Sequence, residues 1–107
     1  MDKYAKYAAA LEGPRRVHFL ELGGYLIEPS NIVTISPIPL KFHNLIVYPS
    51  LYDEDDVQSY VLLLIGGFTD SEPLRILIAT DLTPVQVQHR VEDFFHRNAA
   101  LDNSEYT

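Results

Sequence analysis

Residues 57–80 have the sequence VQSYVLLLIGGFTDSEPLRILIAT, which contains the most apolar segment of the chain. That segment, Val57–Ile65, ends at a glycine pair, and a polar turn separates it from a second apolar run, Leu74–Ala79. Apolar runs of this length between turn residues are typical of β-strands. We therefore expect the two runs to pair as a hairpin.

The first of these strands is predicted to have two apolar faces, because successive side chains of a strand point to opposite sides. One face carries the odd-numbered positions from 61 to 65, and the other carries Tyr60, Leu62 and Leu64. A strand of this kind is buried on both sides, or its outer face contacts a partner. Tyr60, Leu62 and Leu64 are therefore candidate interaction residues.

A helix is predicted to follow the hairpin and to run to about Asn98. Thr83 is a good N-cap residue, and Pro84 suits the first helical position. One helical face should then pack on the sheet, and that face carries Val87, Val91, Phe94 and Phe95.

A short helix and a β-hairpin are predicted for the first part of the chain. Residues 2–12, DKYAKYAAALE, have the apolar spacing of a helix, and a Gly-Pro pair ends them. Two strands, Arg15–Leu22 and Tyr25–Glu28, flank Gly23-Gly24. Paired glycines between strands indicate a tight type I′ turn, in which both central residues have positive φ.

Two more strands are expected before the acidic segment. Pro29-Ser30-Asn31 is a turn signal, and Ile32–Ile35 follows with Val33 and Ile35 on one face. Prolines at 37 and 39 then interrupt the ladder before a fourth strand, His43–Tyr48.

The fold class that these elements define is α+β. It comprises an antiparallel meander of about six strands with a short N-terminal helix and a C-terminal helix packed on the sheet. The order of elements resembles the pleckstrin-homology-like (PH-like) architecture in outline. The alternating strand–helix rhythm of a parallel sheet is absent, which argues against Rossmann and flavodoxin-like folds. We expect one domain over residues 1–98 and a disordered tail over residues 99–107.

Composition limits the classes of function. The 107 residues carry a formal net charge of −7, contain no cysteine, and include no transmembrane-length apolar run. Residues 1–50 have a net charge of +1 and residues 51–107 have −8. This balance argues against nucleic-acid binding and against attraction to anionic membranes. We expect no nucleic acid, no membrane and a cytoplasmic location.

Two groups of side chains are candidate sites. His89, Glu92 and His96 share a predicted helix face and could hold Zn²⁺, although an ordinary surface pair explains the same spacing. Four consecutive acids form either a solvated loop or a recognition surface for a basic partner; they are Asp53, Glu54, Asp55 and Asp56. No phosphate-binding glycine motif and no nucleophile motif occurs, so we predict no cofactor and no catalytic residue.

The leading interpretation is a small acidic, non-enzymatic protein–protein interaction or accessory domain. It would act by protein–protein contact, either as a homodimer or as a small accessory subunit, and a two-fold dimer would cover the leftover apolar face. The first alternative is an acidic inhibitor or mimic that occupies a basic site. The second is a small ligand-binding module or enzyme with a pocket between sheet and helix, in which His18 or His43 would act as base.

Overall fold

The computed structural model describes residues 19–66 and 72–105, with side chains described up to residue 99. These residues form six strands and one helix. The elements are β1 (Leu20–Leu22), β2 (Tyr25–Ile27), β3 (Ile32–Ser36), β4 (Leu45–Val47), β5 (Ser59–Ile65), β6 (Leu74–Thr80) and α1 (Pro84–Glu105). Short 3-10 turns occupy Pro29–Asn31 and Glu54–Asp56. The helix predicted for residues 2–12 lies outside the described residues.

The α+β class is confirmed, with the six strands divided between two sheets. β1 and β2 form an antiparallel pair, and the other four strands form a sheet of order β3-β5-β6-β4. The predicted hairpin of β5 and β6 is present, with Val61 opposite Ile78 and Leu63 opposite Ile76.

The expected antiparallel meander is wrong in two pairings, and the PH-like resemblance is not confirmed. β3 pairs with β5 rather than with β2. β4 lies parallel to β6, with Ile46 opposite Ile76. The expectation assumed that strands adjacent in sequence are adjacent in the sheet. Here the proline-containing segment 37–44 instead carries the chain from one edge of the sheet to the other.

The β1–β2 turn has the geometry that the glycine pair predicted. Gly23 and Gly24 have φ values of 61° and 87°. Leu22 and Tyr25 form the last pair before the turn. Side-chain-bearing residues avoid this region of φ, so the glycines fix the position of the hairpin.

A β-bulge corrects the predicted faces of β3. The register shifts between Ile32, which is opposite Leu63, and Thr34, which is opposite Leu62. The extra residue places Ile32 and Ile35 on the core side. Val33 is therefore exposed, and it does not share a buried face with Ile35 as the alternation predicted.

The core lies between one face of the four-stranded sheet and two covering elements, the β1–β2 hairpin and α1. Its buried members come from all three parts: Leu22, Ile27, Val61, Leu63, Ile76, Ile78 and Val87. Burial of such side chains is the main stabilising contribution to a domain of this size.

The start of α1 is confirmed, and its predicted apolar face needs one correction. The Gln86 amide donates to Thr83 Oγ1 at 3.2 Å, and the Thr83 amide donates to Gln86 Oε1 at 2.9 Å, which is a capping box. Val87 and Phe94 are buried, whereas Phe95 is 48% exposed. Phe95 lies at the margin of the stripe, so its ring turns to solvent. The helix continues to Glu105, beyond the expected end near Asn98.

The opposite face of the sheet is also partly covered. Leu62 and Leu77 are only 5% and 3% exposed, yet neither belongs to the core cluster. The Tyr48 amide donates to the Leu77 carbonyl at 3.0 Å. Consider the sheet from the face that carries the Leu77 side chain, with β3, β4 and β6 running upward. In that view the Leu77 carbonyl points to the right, so β4, whose amide it accepts, lies to the right of β6 and β3.

The handedness of the chain explains that coverage. β3 and β4 are parallel, and passage of residues 37–44 over the Leu77 face gives a right-handed crossover, as almost all such connections are. The core face is already occupied by α1 and the hairpin. The right-handed route for residues 37–44 is therefore the one over the face that carries Leu62 and Leu77.

Within residues 19–66 and 72–105, no helix combines the length and the apolar character that crossing a membrane requires.

Candidate functional site

An apolar groove of about 420 Å³ opens on the sheet face opposite the core. Tyr60, Leu77 and Ala79 of the two central strands contribute to it. Its other lining residues come from β4 and the loop that follows: Val47, Tyr48, Pro49, Ser50, Tyr52, Glu54 and Val57. Residues far apart in sequence therefore form one surface.

Local hydrogen bonds hold the loop side of the groove. Ser50 Oγ donates to the Tyr52 carbonyl and accepts from the Tyr52 amide, both at 3.1 Å. Tyr25 donates its hydroxyl to the Pro49 carbonyl at 2.7 Å, and its ring lies 4.9 Å from that of Tyr48. The loop is thus tied to the β1–β2 hairpin.

The far end of the loop is anchored to the end of β6. The Gln58 amide donates to the Thr80 carbonyl at 3.0 Å, and Gln58 Nε2 donates to the Asp81 carbonyl at 2.8 Å. Ser59 Oγ donates to the Leu82 carbonyl at 2.6 Å. With both ends fixed, the groove is held in shape by the fold itself.

The four predicted acids form the segment beside this groove. The Asp56 amide donates to the Asp53 carbonyl at 2.8 Å, closing a 3-10 turn over Glu54–Asp56. All four side chains are exposed, and Glu54 lines the groove. Within the part of the chain that the structure describes, no Lys, Arg or His lines the groove. This end of the molecule is therefore both apolar and negative.

The phenol of Tyr52 lies near two other acids, Asp81 and Glu21. Desolvation raises its pKa, and the negative charges of Asp81 and Glu21 and a hydrogen bond to Asp81 raise it further. Arg90 opposes the shift weakly, and its guanidinium is already paired with Glu21 at 3.5 Å. The protonated phenol of Tyr52 therefore donates to the Asp81 carboxylate, just after the end of β6.

The structure separates the predicted interaction residues. Tyr60 and Glu54 line the groove, and Asp53, Asp55 and Asp56 flank it. Leu62 is buried, and Leu64 lies toward the opposite end of β5. The missed lining residues are discontinuous in sequence, and only the alternation of β6 could have placed Leu77 and Ala79 on one face.

The predicted metal ligands do not form a centre. His89, Glu92 and His96 are exposed on α1, and Gln88 Nε2 donates to Glu92 Oε1 at 3.1 Å. Across the described ranges, no three His, Asp or Glu side chains are grouped so as to hold a metal ion.

Two further cavities lie on the core side of the sheet. One, of about 340 Å³, lies between β1 and α1 and is lined by Phe19, Arg90 and Arg97 among others. The second, of about 220 Å³, lies beneath the β1–β2 hairpin. His43 is exposed and lines none of these three cavities, and His18 lies outside the described residues.

Comparison with known proteins adds no functional assignment. No family model, no curated protein and no solved structure matches this chain. Its function is therefore argued from the groove and the charges around it.

Proposed function

We propose that this chain is a non-enzymatic protein–protein interaction domain that binds an apolar, basic segment of a partner in the groove beside Asp53–Asp56. The observation that carries the proposal is the pairing of an exposed apolar groove with four exposed acids, and among the described residues no cation lines that groove. Apolar contact would supply the affinity, and the acids would select and steer a basic partner.

The chemistry of the lining favours a protein partner over a substrate. Tyr52 and Tyr60 line the groove, and Tyr48 adjoins it while packing against the core cluster. Tyrosine is enriched at protein interfaces because its ring is apolar and its hydroxyl can be paired at the rim. The Ser50 hydroxyl is engaged with the Tyr52 backbone, and among the described lining residues there is no histidine to act as a base.

The charge of the chain favours a different protein over a second copy. A homodimer formed through this groove would bring together two chains of net charge −7 and two acidic segments. Like-charge juxtaposition opposes such an arrangement. The homodimer and the acidic mimic of a basic site are the alternative proposals, and each makes a different prediction with model peptides.

A peptide titration tests the proposal. Three capped peptides of about eight residues are compared: Lys alternating with Val, Lys alternating with Ser, and Glu alternating with Val. Amide chemical shifts of ¹⁵N-labelled protein are followed by NMR. We expect the Lys/Val peptide alone to shift residues 47–60 and 77–79, and to weaken as salt rises from about 0.05 to 0.3 M.

The other outcomes are also decisive. Equal binding of the Lys/Ser peptide would show that charge alone suffices, as the mimic alternative requires. Preference for the Glu/Val peptide, or the absence of groove shifts with every peptide, would overturn the proposal.

A matched pair of charge reversals locates the acidic contribution. Glu54→Lys, at the groove, should weaken Lys/Val peptide binding about 5- to 10-fold at low salt. Glu72→Lys makes the same change in net charge near the other end of β6 and should alter binding less than about 2-fold, because charges well beyond a Debye length are screened. Equal effects of both variants would show that only net charge matters.

A further inference from the structure

We infer that the partner segment binds in extended form, as a fifth strand added to the free edge of β4. This inference rests on the proposed function and specifies how the groove is used. It follows from the hydrogen-bonding direction of β4, from the side chains at that edge, and from the position of Val47 in both the edge and the groove.

The backbone of β4 has one free side. In the described ranges the four-stranded sheet ends at β4, which pairs with β6 alone. The Tyr48 amide donates to the Leu77 carbonyl, so the backbone groups of Tyr48 and Ile46 face β6. Alternation then turns the amide and carbonyl groups of Leu45 and Val47 outward, away from the sheet. An outward row of this kind is a template for another strand.

The side chains at this edge suit an apolar partner. Ile46 is 42% exposed on the core face, and Val47 is 64% exposed on the groove face. Neither a proline nor a charged residue lies within β4, although both are common protections of edge strands. An added strand would therefore cover exposed apolar groups on both faces.

The opposite edge of the sheet is less suited to pairing. β3 contains the bulge between Ile32 and Thr34, and Pro37 follows the strand directly. A bulge interrupts the regular hydrogen-bond spacing, and proline has no amide to donate. The two edges of the sheet thus differ, and β4 is the regular one.

The available edge has defined ends. Asn44, just before β4, has a φ of 60° and is not extended. Pro49, just after it, lacks an amide, and its carbonyl already accepts the Tyr25 hydroxyl. The added strand therefore pairs along Leu45–Val47, with alternate side chains beside Val47 at the groove and beside Ile46 on the other face.

Charge commits the added strand to a basic partner rather than to a second copy. Pairing of β4 with its own copy would bring together two chains that each have a net charge of −7. A basic segment instead brings positive side chains to that end of the molecule. This is the strand-addition mode of peptide recognition, in which main-chain bonds provide affinity and side chains provide specificity.

N-methylation of the Lys/Val peptide tests the inference. Methyl groups are placed on alternate peptide amides, in two complementary sets. A paired strand uses the amides of one edge only, so one set should weaken binding at least about 10-fold and the other less than about 3-fold. Binding equally impaired or equally retained with both sets would overturn strand addition.

Hydrogen exchange gives a second, independent measurement. The Val47 amide points outward and should exchange at least about 10-fold more slowly when the Lys/Val peptide is bound. The Ile46 amide already faces β6 and serves as the internal control, with little change expected. Unchanged exchange at Val47 in a complex that still shifts the groove residues would overturn the inference while leaving the proposed function standing.

A backbone variant tests the same edge from the protein side. Val47→Pro removes the outward amide without removing a bond to β6, and should abolish peptide binding. Val47→Thr keeps the amide and the branched side chain, and should bind within about 3-fold of the parent. Circular dichroism checks the fold of both variants. If Val47→Pro is unfolded, the two N-methylated peptides decide the question.

Failure of the inference and failure of the proposed function are distinguishable. If no peptide shifts the groove, both are wrong. If the peptide shifts the groove without an edge-specific effect of N-methylation, only strand addition is wrong. A dimer of the free protein that Val47→Pro dissociates would identify a second copy as the occupant and would overturn the basic-partner assignment.

Discussion

Gly23 satisfies two requirements that no other residue type meets together. Its φ of 61° lies in the region that side-chain-bearing residues avoid, and a Cβ there would collide with the Ala79 carbonyl oxygen and lie 2.9 Å from Ile78 Cγ2. The first requirement belongs to the hairpin turn, and the second to the packing of that turn against β6. The turn therefore fixes both the β1–β2 register and the position at which the hairpin packs against the sheet.

The prediction is that Gly23→Ala destabilises the domain by about 3 kcal/mol, through backbone strain and overpacking together. Gly66→Ala is the matched control, because Gly66 also has a positive φ, of 89°, but a Cβ there would meet nothing within 4 Å. It should cost about 1 kcal/mol. Urea denaturation gives both values, and equal losses would show that close packing at Gly23 contributes nothing.

At the level of whole elements, α1 covers the core with a narrow apolar face of the helix. Val87 is fully buried and Phe94 nearly so, whereas the neighbouring ring of Phe95 is half exposed. The two rings contact each other edge to face, with centroids 5.5 Å apart. Adjacent phenylalanines thus have different roles, one in packing and one at the surface.

We therefore expect unequal costs from two identical truncations. Phe94→Ala should lower the free energy of unfolding by about 3 kcal/mol, the usual loss when a buried phenylalanine leaves a cavity. Phe95→Ala should lower it by about 1 kcal/mol, since less apolar area is removed from cover. Thermal unfolding compares the two variants, and a larger loss for Phe95→Ala would reverse the assignment of the packed face.

The sequence was informative wherever the determining contacts are local. The Gly23-Gly24 turn, the cap at Thr83 and the β5–β6 hairpin each depend on residues close together in the chain, and each was predicted. The pairing of β4 with β6 joins segments about thirty residues apart, and apolar periodicity does not identify a strand's partner. The bulge at Val33 shifts the alternation by one residue, so the predicted face of that residue was wrong.

The candidate site was also predictable only where its residues are close together in the chain. The acids were visible because they are consecutive, and Tyr60 because it belongs to the strongest strand. The groove itself depends on β4 lying parallel beside β6, which brings Val47 next to Leu77. No contiguous pattern records that juxtaposition, so the apolar half of the site emerged only with the fold.

In the molecule as a whole, both faces of the four-stranded sheet are at least partly covered, so a homodimer is no longer needed to bury the second face. The dimer was expected because one helix covers only one face of the sheet. On the second face, Leu62 and Leu77 are nonetheless buried within a single chain. The apolar side chains that stay exposed on β5 and β6 cluster at the end away from the groove, and they are Leu64, Ile65 and Leu74.

The last prediction separates coverage within the chain from coverage by a second copy. Leu62→Glu should destabilise the folded chain by about 3 kcal/mol or more, because it places a carboxylate where one chain already excludes water. Leu64→Glu should leave stability within about 0.5 kcal/mol, since that position is partly open to solvent.

In sedimentation at about micromolar concentration, the parent should have a mass near 12.2 kDa at both low and high salt. A parent dimer that Leu64→Glu dissociates without loss of stability would instead assign the surface around Leu64 to a homodimer interface. In that case the acidic groove at the other end of the sheet would still be free for a basic partner, because the two surfaces occupy opposite ends of β5 and β6.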